Sequence, residues 1–309
     1  MDLLNPAPTA PATDWKTRWF GTPGALRGWV VANLVANALL IVTGAVVRLT
    51  GSGLGCPTWP HCDPGSFVPQ GEMGIHGVIE FGNRLLTFVL IAIALATAVT
   101  AVRAGASQRI RLISLIVLLG IPFQGVIGGI TVLTRLNPYV VALHLLLSVA
   151  LVALCTWLVQ LTRGLEREPL PAGLRRLVNA VFWLLMIGLW LGTVVTGAGP
   201  HAGDHGAKRN GLDIETVAKA HAWTIWLVVA GTIALLVLLH RAGLARAARW
   251  ALLLLAAELL QGAIGYAQYF SGLPIGLVIC HMLGISLVTV AASWLYFGTR
   301  RGVAADWEN

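Results

Sequence analysis

Eight apolar stretches, each of about twenty residues or more, leave this chain few ways to fold. They fall near residues 28–47, 78–102, 110–133, 139–162, 174–197, 217–240, 247–270 and 274–297. Each can cross a hydrocarbon core of ~30 Å at a helical rise of ~1.5 Å per residue. Inside lipid only helices and closed barrels satisfy their own backbone. Runs this long and continuous, in a chain with 57% hydrophobic residues and 11% charged ones, predict an all-α polytopic membrane protein. An even number of spans puts both termini on one side. Fifteen of the 21 Lys and Arg lie on that side, among them Lys16, Arg18, Arg167, Arg300 and Arg301. The positive-inside rule makes it the cytoplasmic side of the membrane. The same bias accounts for the +8 charge without nucleic acid. Residues 1–27 are rich in Pro and Ala and lack an apolar h-region, so no cleavable signal peptide is expected. Trp15 and Trp19 read as interfacial anchors.

The second constraint is a repeat. Gln124-Gly125-Val126-Ile127-Gly128 precedes His144, and Gln261-Gly262-Ala263-Ile264-Gly265 precedes His281; both pairs are related by 137 residues. Val42-Thr43-Gly44-Ala45 is echoed by Val195-Thr196-Gly197-Ala198. Four spans per repeat give both halves one orientation, related by an axis along the membrane normal. The expected architecture is two pseudo-symmetric four-helix bundles, 28–165 and 166–300, between cytoplasmic tails 1–27 and 301–309. An inverted-repeat transporter fits this less well, and the lipid bilayer is the obligatory surrounding.

Each half thus owns a histidine at membrane depth, which by its cost points to function. Near the start of span 6 lies His221, whose counterpart in span 2 is Asn83 or Arg84. Two imidazoles on facing helices suit axial ligation of haem, so His221 and His281 form the better pair. Two unrelated hydrogen-bonded histidines are the plainer reading. His144 with Asn83 is less symmetric, since Asn is a poor iron ligand; His76 offers a substitute one turn away. Glu80 shares a helical face with Asn83 and Arg84, either as a partly desolvated catalytic carboxylate or as half of a structural ion pair. Cys56 and Cys62 in the first outer loop suggest a disulfide, with a Cys/His metal site using His61 as the alternative. Cys155 and Cys280 read as small apolar residues. Arg135, Lys208 and Arg209 are candidates for pairing with haem propionates, His201 and His205 are solvated loop residues, and Glu258 is an intramembrane acid without an intrahelical basic partner.

The run from Thr43 to Cys62, including Gly51-Ser52-Gly53-Leu54-Gly55-Cys56-Pro57-Thr58-Trp59-Pro60-His61-Cys62, resembles the first-loop signature of bacterial heme A synthases. So do Glu80-Phe81-Gly82-Asn83-Arg84, Gly199-Pro200-His201-Ala202-Gly203-Asp204 and the contexts of His144, His221 and His281; the form with both cysteines looks closest to actinobacterial members. The resemblance implies oxidation of the C8 methyl of heme O to a formyl group by successive hydroxylations, supplying heme A to cytochrome oxidase. It also implies a resident haem b on His221 and His281, and substrate haem iron facing His144 beside Asn83 and Arg84. Glu80 would be the essential carboxylate, and Cys56 and Cys62 the outer disulfide. Heme O synthase and oxidase assembly factors would be partners, and a homo-oligomer is compatible with the chain. Two departures stand out: Asn83 replaces a histidine usual in the family, and the second outer loop lacks the Cys pair of some relatives. The competing class is a dihaem membrane protein that oxidises quinol without modifying haem.

Overall fold

The computed structural model describes residues 15–164 and 168–300. Arg167, Arg301, most of the N-terminal tail, the C-terminal tail and the side chains of Trp15 and Lys16 lie outside that description. The helices are α1 (Trp15–Phe20), α2 (Pro23–Leu49), α3 (Gly74–Arg103), α4 (Gln108–Leu133), α5 (Pro138–Thr162), α6 (Ala172–Ala198), α7 (Ile214–Arg241), α8 (Ala245–Phe270) and α9 (Ile275–Gly298). All but α1 are long and apolar enough to cross a membrane. The chain is an all-α, multi-pass membrane protein.

Local chemistry sets the helix ends. Thr22 caps α2 by accepting from Ala25 N at 3.1 Å, with Pro23 in the first turn. Asn137 and Pro138 do the same for α5, and Asp213 Oδ2 accepts from Thr216 N at 2.8 Å to start α7. That capping holds the exposed Asp213 carboxyl below its usual range, because hydrogen bonds from the Thr216 hydroxyl and amide favour the anion. The turns after α3 and α7 use Gly105 and Gly243 at positive φ, again one per half. The expected start of span 2 near residue 78 is late by a turn: α3 opens at Gly74, and His76 lies within its first turn.

Packing reproduces the repeat. Helices α2 to α5 form a closed ring in which each consecutive pair packs and α2 also packs on α5; α6 to α9 form a second ring in the same way. The diagonals of each ring, α3 with α5 and α7 with α9 among them, make no direct packing contact. The rings join through α2, α5, α6 and α9, where Ile41, Val149 and Val152 meet Met186, Met282 and Ile285. Gln160 Nε2 also bonds Trp294 O across the join at 2.7 Å. Helices α3, α4, α7 and α8 contact only their own half and are the lipid-facing ones.

Candidate functional site

Six residues separate Pro138 from His144 at the start of α5, and six separate Ile275 from His281 at the start of α9. The two histidines therefore enter their rings at the same depth, near the end that carries the long loops. The surroundings repeat as well. Gln124 Nε2 donates to His144 O at 3.0 Å, and Gln261 Nε2 to His281 O at 2.9 Å. One turn further along, a Cβ at Gly128 would stand 3.4 Å from His144 Cε1, and one at Gly265 the same distance from His281 Cε1. Each histidine thus lies over a glycine, with its main chain gripped by a glutamine. The Gln-Gly-x-Ile-Gly repeat contained this arrangement before any coordinates did.

In the C-terminal ring His221 sits on α7, diagonal to His281 on α9, so the two rings face each other across the bundle interior. His221 Nδ1 donates to Gly188 O at 2.9 Å. That bond puts the ring proton on Nδ1 and leaves Nε2 unprotonated, an arrangement that also supports imidazoles bound to metal. In the N-terminal ring the same diagonal, α3 to α5, carries Asn83 opposite His144. Asn83 Oδ1 accepts from Thr43 Oγ1 at 2.8 Å, which ties that side chain back to α2. Arg84, the other candidate counterpart of His221, turns away from the interior to the first long loop.

The residues present fit haem. His144 Nδ1 and His281 Nδ1 are buried with no hydrogen-bond partner, an expense that native structures rarely leave unexplained. Among the described residues no group of three or more His, Cys, Asp or Glu could hold a bare metal ion. Imidazoles facing across apolar diagonals instead suit an iron already held by a macrocycle.

Glu80 and Arg84 are brought together with the cysteines. Cys56 and Cys62 form a disulfide, which overturns the metal-site alternative; the His61 ring packs tilted against Phe67, with centroids 4.1 Å apart. Glu80 is buried. Its Oε2 accepts from Cys56 N at 2.6 Å and its Oε1 from Arg84 Nη2 at 2.6 Å. Arg84 also donates to the carbonyls of Cys56, Thr58 and His61 at 3.0, 3.1 and 3.2 Å. The ion pair and the carboxylate are one structure, a hub that fastens the disulfide loop to α3. Oε1 also accepts from Arg84 Nε at 3.2 Å, so it is Oε2 that keeps a further acceptor direction for a proton or a developing cation.

Other expected residues take plainer parts. His76 Nδ1 bonds Ser52 Oγ at 2.9 Å, which ties it to the first long loop. Arg209 donates to Pro200 O, Arg135 is exposed, and Lys208 lines a cleft with Arg48 at the join between halves. Glu258 Oε1 accepts from Thr232 Oγ1 at 3.0 Å, a partner on the neighbouring helix that a within-helix search could not find. Cys155 is buried and Cys280 exposed. Arg48 takes a part that no motif announced. It donates to His201 O of the second long loop at 2.6 Å and to Thr196 O at the end of α6 at 2.7 Å, while Gly53 N bonds Gly203 O at 2.8 Å, so the two long loops dock on each other. Beside Arg48 and Arg209, the partly buried His201 imidazole is held below its usual range, by desolvation first and then by the two guanidinium charges.

Known proteins resemble this arrangement. A heme A synthase from Geobacillus kaustophilus is 30% identical over 150 residues, covering 48% of this chain and 46% of that protein. One from Lysinibacillus sphaericus is 34% identical over 139 residues, covering 43% and 45%. A protoheme IX farnesyltransferase from Halobacterium salinarum is 34% identical over 127 residues, covering 40% and 27%. The similarity therefore spans less than half the length of each of these relatives. The family of cytochrome oxidase assembly proteins called COX15-CtaA matches over residues 27–77 and 70–293, nearly the whole described chain. The chain belongs to the COX15-CtaA family of cytochrome oxidase assembly proteins.

Proposed function

We propose that this protein is a heme A synthase, oxidising the C8 methyl of heme O to a formyl group for use in cytochrome oxidase. The observation that carries the reading is the broken repeat. One diagonal presents two histidines, while the equivalent diagonal presents one histidine, Asn83 and the Glu80–Arg84 hub. The C-terminal half, 166–300, would hold a resident haem b on His221 and His281. The N-terminal half, 28–165, would take heme O against His144. Both termini lie in the cytoplasm on this reading, and the long loops face outward.

Bound in its half, haem b would supply one-electron redox capacity. The chain's own residues do the rest. Asn83, fixed by Thr43, offers only a weak donor opposite His144, so the substrate is held by one strong ligand and can leave. Each hydroxylation takes two electrons and two protons from the methyl group and water together; the electrons would pass to an external electron acceptor, Glu80 would stabilise the positive charge left at the methyl carbon or accept its proton, and water would supply the oxygen and give up the second proton. Arg84 keeps Glu80 oriented. Heme O synthase, represented among the similar proteins by a protoheme IX farnesyltransferase, would deliver the substrate, and oxidase assembly factors would receive the product. Assembly as a homo-oligomer belongs to the same proposal.

The test is chemical. The chain is expressed with a source of heme O, and extracted haems are separated by chromatography. New heme A is expected; unchanged heme O would leave a dihaem electron carrier. Glu80→Gln should keep its haem spectrum and make no heme A, and full turnover by that variant would remove the carboxylate from the mechanism.

A further inference from the structure

Whatever binds between α3 and α5 has to cross a wall to get there. Helices α2 and α5 are covered by the other half, whereas α3 and α4 face lipid, as α7 and α8 do in the second ring. The two lipid-facing seams, α3 with α4 and α7 with α8, are related by the repeat. At the long-loop end of the α7–α8 seam, Trp226 Nε1 donates to Tyr266 OH at 2.9 Å. This is a bridge between two rings carried by the helices themselves.

The offset of 137 residues that relates Gln124 to Gln261 also carries Gly129 onto Tyr266, while the offset of 138 that relates Asn83 to His221 carries Phe88, itself exposed, onto Trp226. The α3–α4 seam therefore lacks the α4 ring and the bridge that ring completes. Its cover comes from the first long loop. The Trp59 indole lies on Gly129 so closely that a Cβ there would stand 2.3 Å from Cδ2 and 2.4 Å from Cε2. The adjacent Gly128 is the glycine beneath His144. Trp59 belongs to the segment that Arg84 and Glu80 fasten to α3 through Cys56, Thr58 and His61. The loop is thus a strap, anchored by polar bonds on α3 and seated by an apolar ring on α4.

We propose that the α3–α4 seam beneath Trp59 is the lateral portal through which the substrate porphyrin passes between lipid and the His144 site. Trp59 is its removable wall, and the Trp226–Tyr266 pair is the fixed wall that keeps the resident haem in place. This rests on the assignment of the N-terminal half to substrate haem and the C-terminal half to resident haem. The ligand is an amphipathic tetrapyrrole, with an apolar body suited to arrival through lipid and carboxylates that stay at the loop end. Opening a wall built of helix side chains requires the helices to part or their rings to swing together. Lifting one indole off a glycine requires only the Trp59 side chain to swing between its anchored neighbours Thr58 and His61, and side-chain and loop motions are faster than helix separation. Trp59 acts as a specificity and access residue; it touches no reacting atom.

The experiment uses the full chain carrying its haem b in nanodiscs, with heme O supplied from separate nanodiscs and its uptake and loss followed by absorbance. Trp59→Ala removes the ring, and Gly129→Ala keeps the ring but occupies its seat. Both should speed heme O uptake and loss by about tenfold while the haem b spectrum is unchanged. Tyr266→Phe and Trp226→Leu should instead speed transfer of haem b to apomyoglobin, with heme O exchange unaltered. Unchanged heme O exchange in both Trp59→Ala and Gly129→Ala overturns the portal, as does faster loss of haem b in those variants. If the unmodified chain keeps haem b but takes up no heme O, the assignment of the N-terminal half fails instead. The haem b spectrum reports that each variant is folded.

Discussion

The two halves share a ring of four helices, a glutamine on a histidine carbonyl and a glycine beneath the imidazole, yet they differ wherever chemistry would differ. The C-terminal half places a second histidine on the diagonal, with Gly188 O orienting it. The N-terminal half places Asn83 there and diverts the next residue, Arg84, to a loop. Its second ionisable group, Glu80, is held in the hub that closes the loop end. The lesson is that duplication supplies a scaffold for two similar sites, and on the proposed function a few substitutions on α3 would turn one of them from a holder into a workplace.

The largest effect that would break this comparison concerns the ligands. His221→Ala or His281→Ala should abolish the low-spin haem spectrum of the purified protein, whereas His144→Ala should leave it intact; equal losses in all three would mean the halves hold haem alike. Next comes Arg84→Ala, which leaves buried Glu80 and three loop carbonyls without their donor. A cost of about 2–3 kcal/mol is expected, below the full value for a buried pair because Arg84 keeps 20% side-chain exposure. Thermal unfolding in nanodiscs checks it, and no loss of stability would mean the hub is decorative. Smaller is Gly284→Ala, where a Cβ would stand 2.1 Å from Gln261 Oε1 and push the amide off His281 O. About 1–3 kcal/mol and a broadened haem b spectrum should follow, confined to the C-terminal half, since the repeat places Leu147 at the counterpart position.

The smallest effect is one of pH. The folded second loop favours neutral His201, so its stability is whole above the ordinary imidazole range. It declines as acidification passes through that range, where the unfolded loop takes up the proton more readily. Hydrogen exchange should show residues 198–213 loosening on acidification before the first loop does. In His201→Gln that difference should vanish; persistence would assign it to another group.

Most of the architecture was legible because the membrane narrows the options. Runs of apolar residues gave eight helices, and the spacing of Gln and His gave two rings with one orientation. The candidate ligands were legible for the same reason, since an imidazole in lipid is conspicuous. What could not be seen were the bonds made to main chain. Nothing in the sequence says that Arg84 reaches three carbonyls, that Arg48 clasps the second loop, or that Thr43 holds Asn83, because carbonyl acceptors exist at every position. Helix-to-helix partners such as Thr232 for Glu258 were hidden by a search along one helix. The seat of Trp59 on Gly129 needed the fold, although the mismatch of Gly129 with Tyr266 was already present in the repeat.

Those main-chain bonds make tolerance to mutation lopsided. The strap over the N-terminal half is tied by the carbonyls of Cys56, Thr58 and His61, which any residue at those positions would also present. The side chain at 61 takes no part in the knot, whereas the Thr58 hydroxyl donates to His61 O at 2.9 Å and so adds to it. The burden of constancy falls on Glu80 and Arg84 of α3, whose loss no change within the loop can repair.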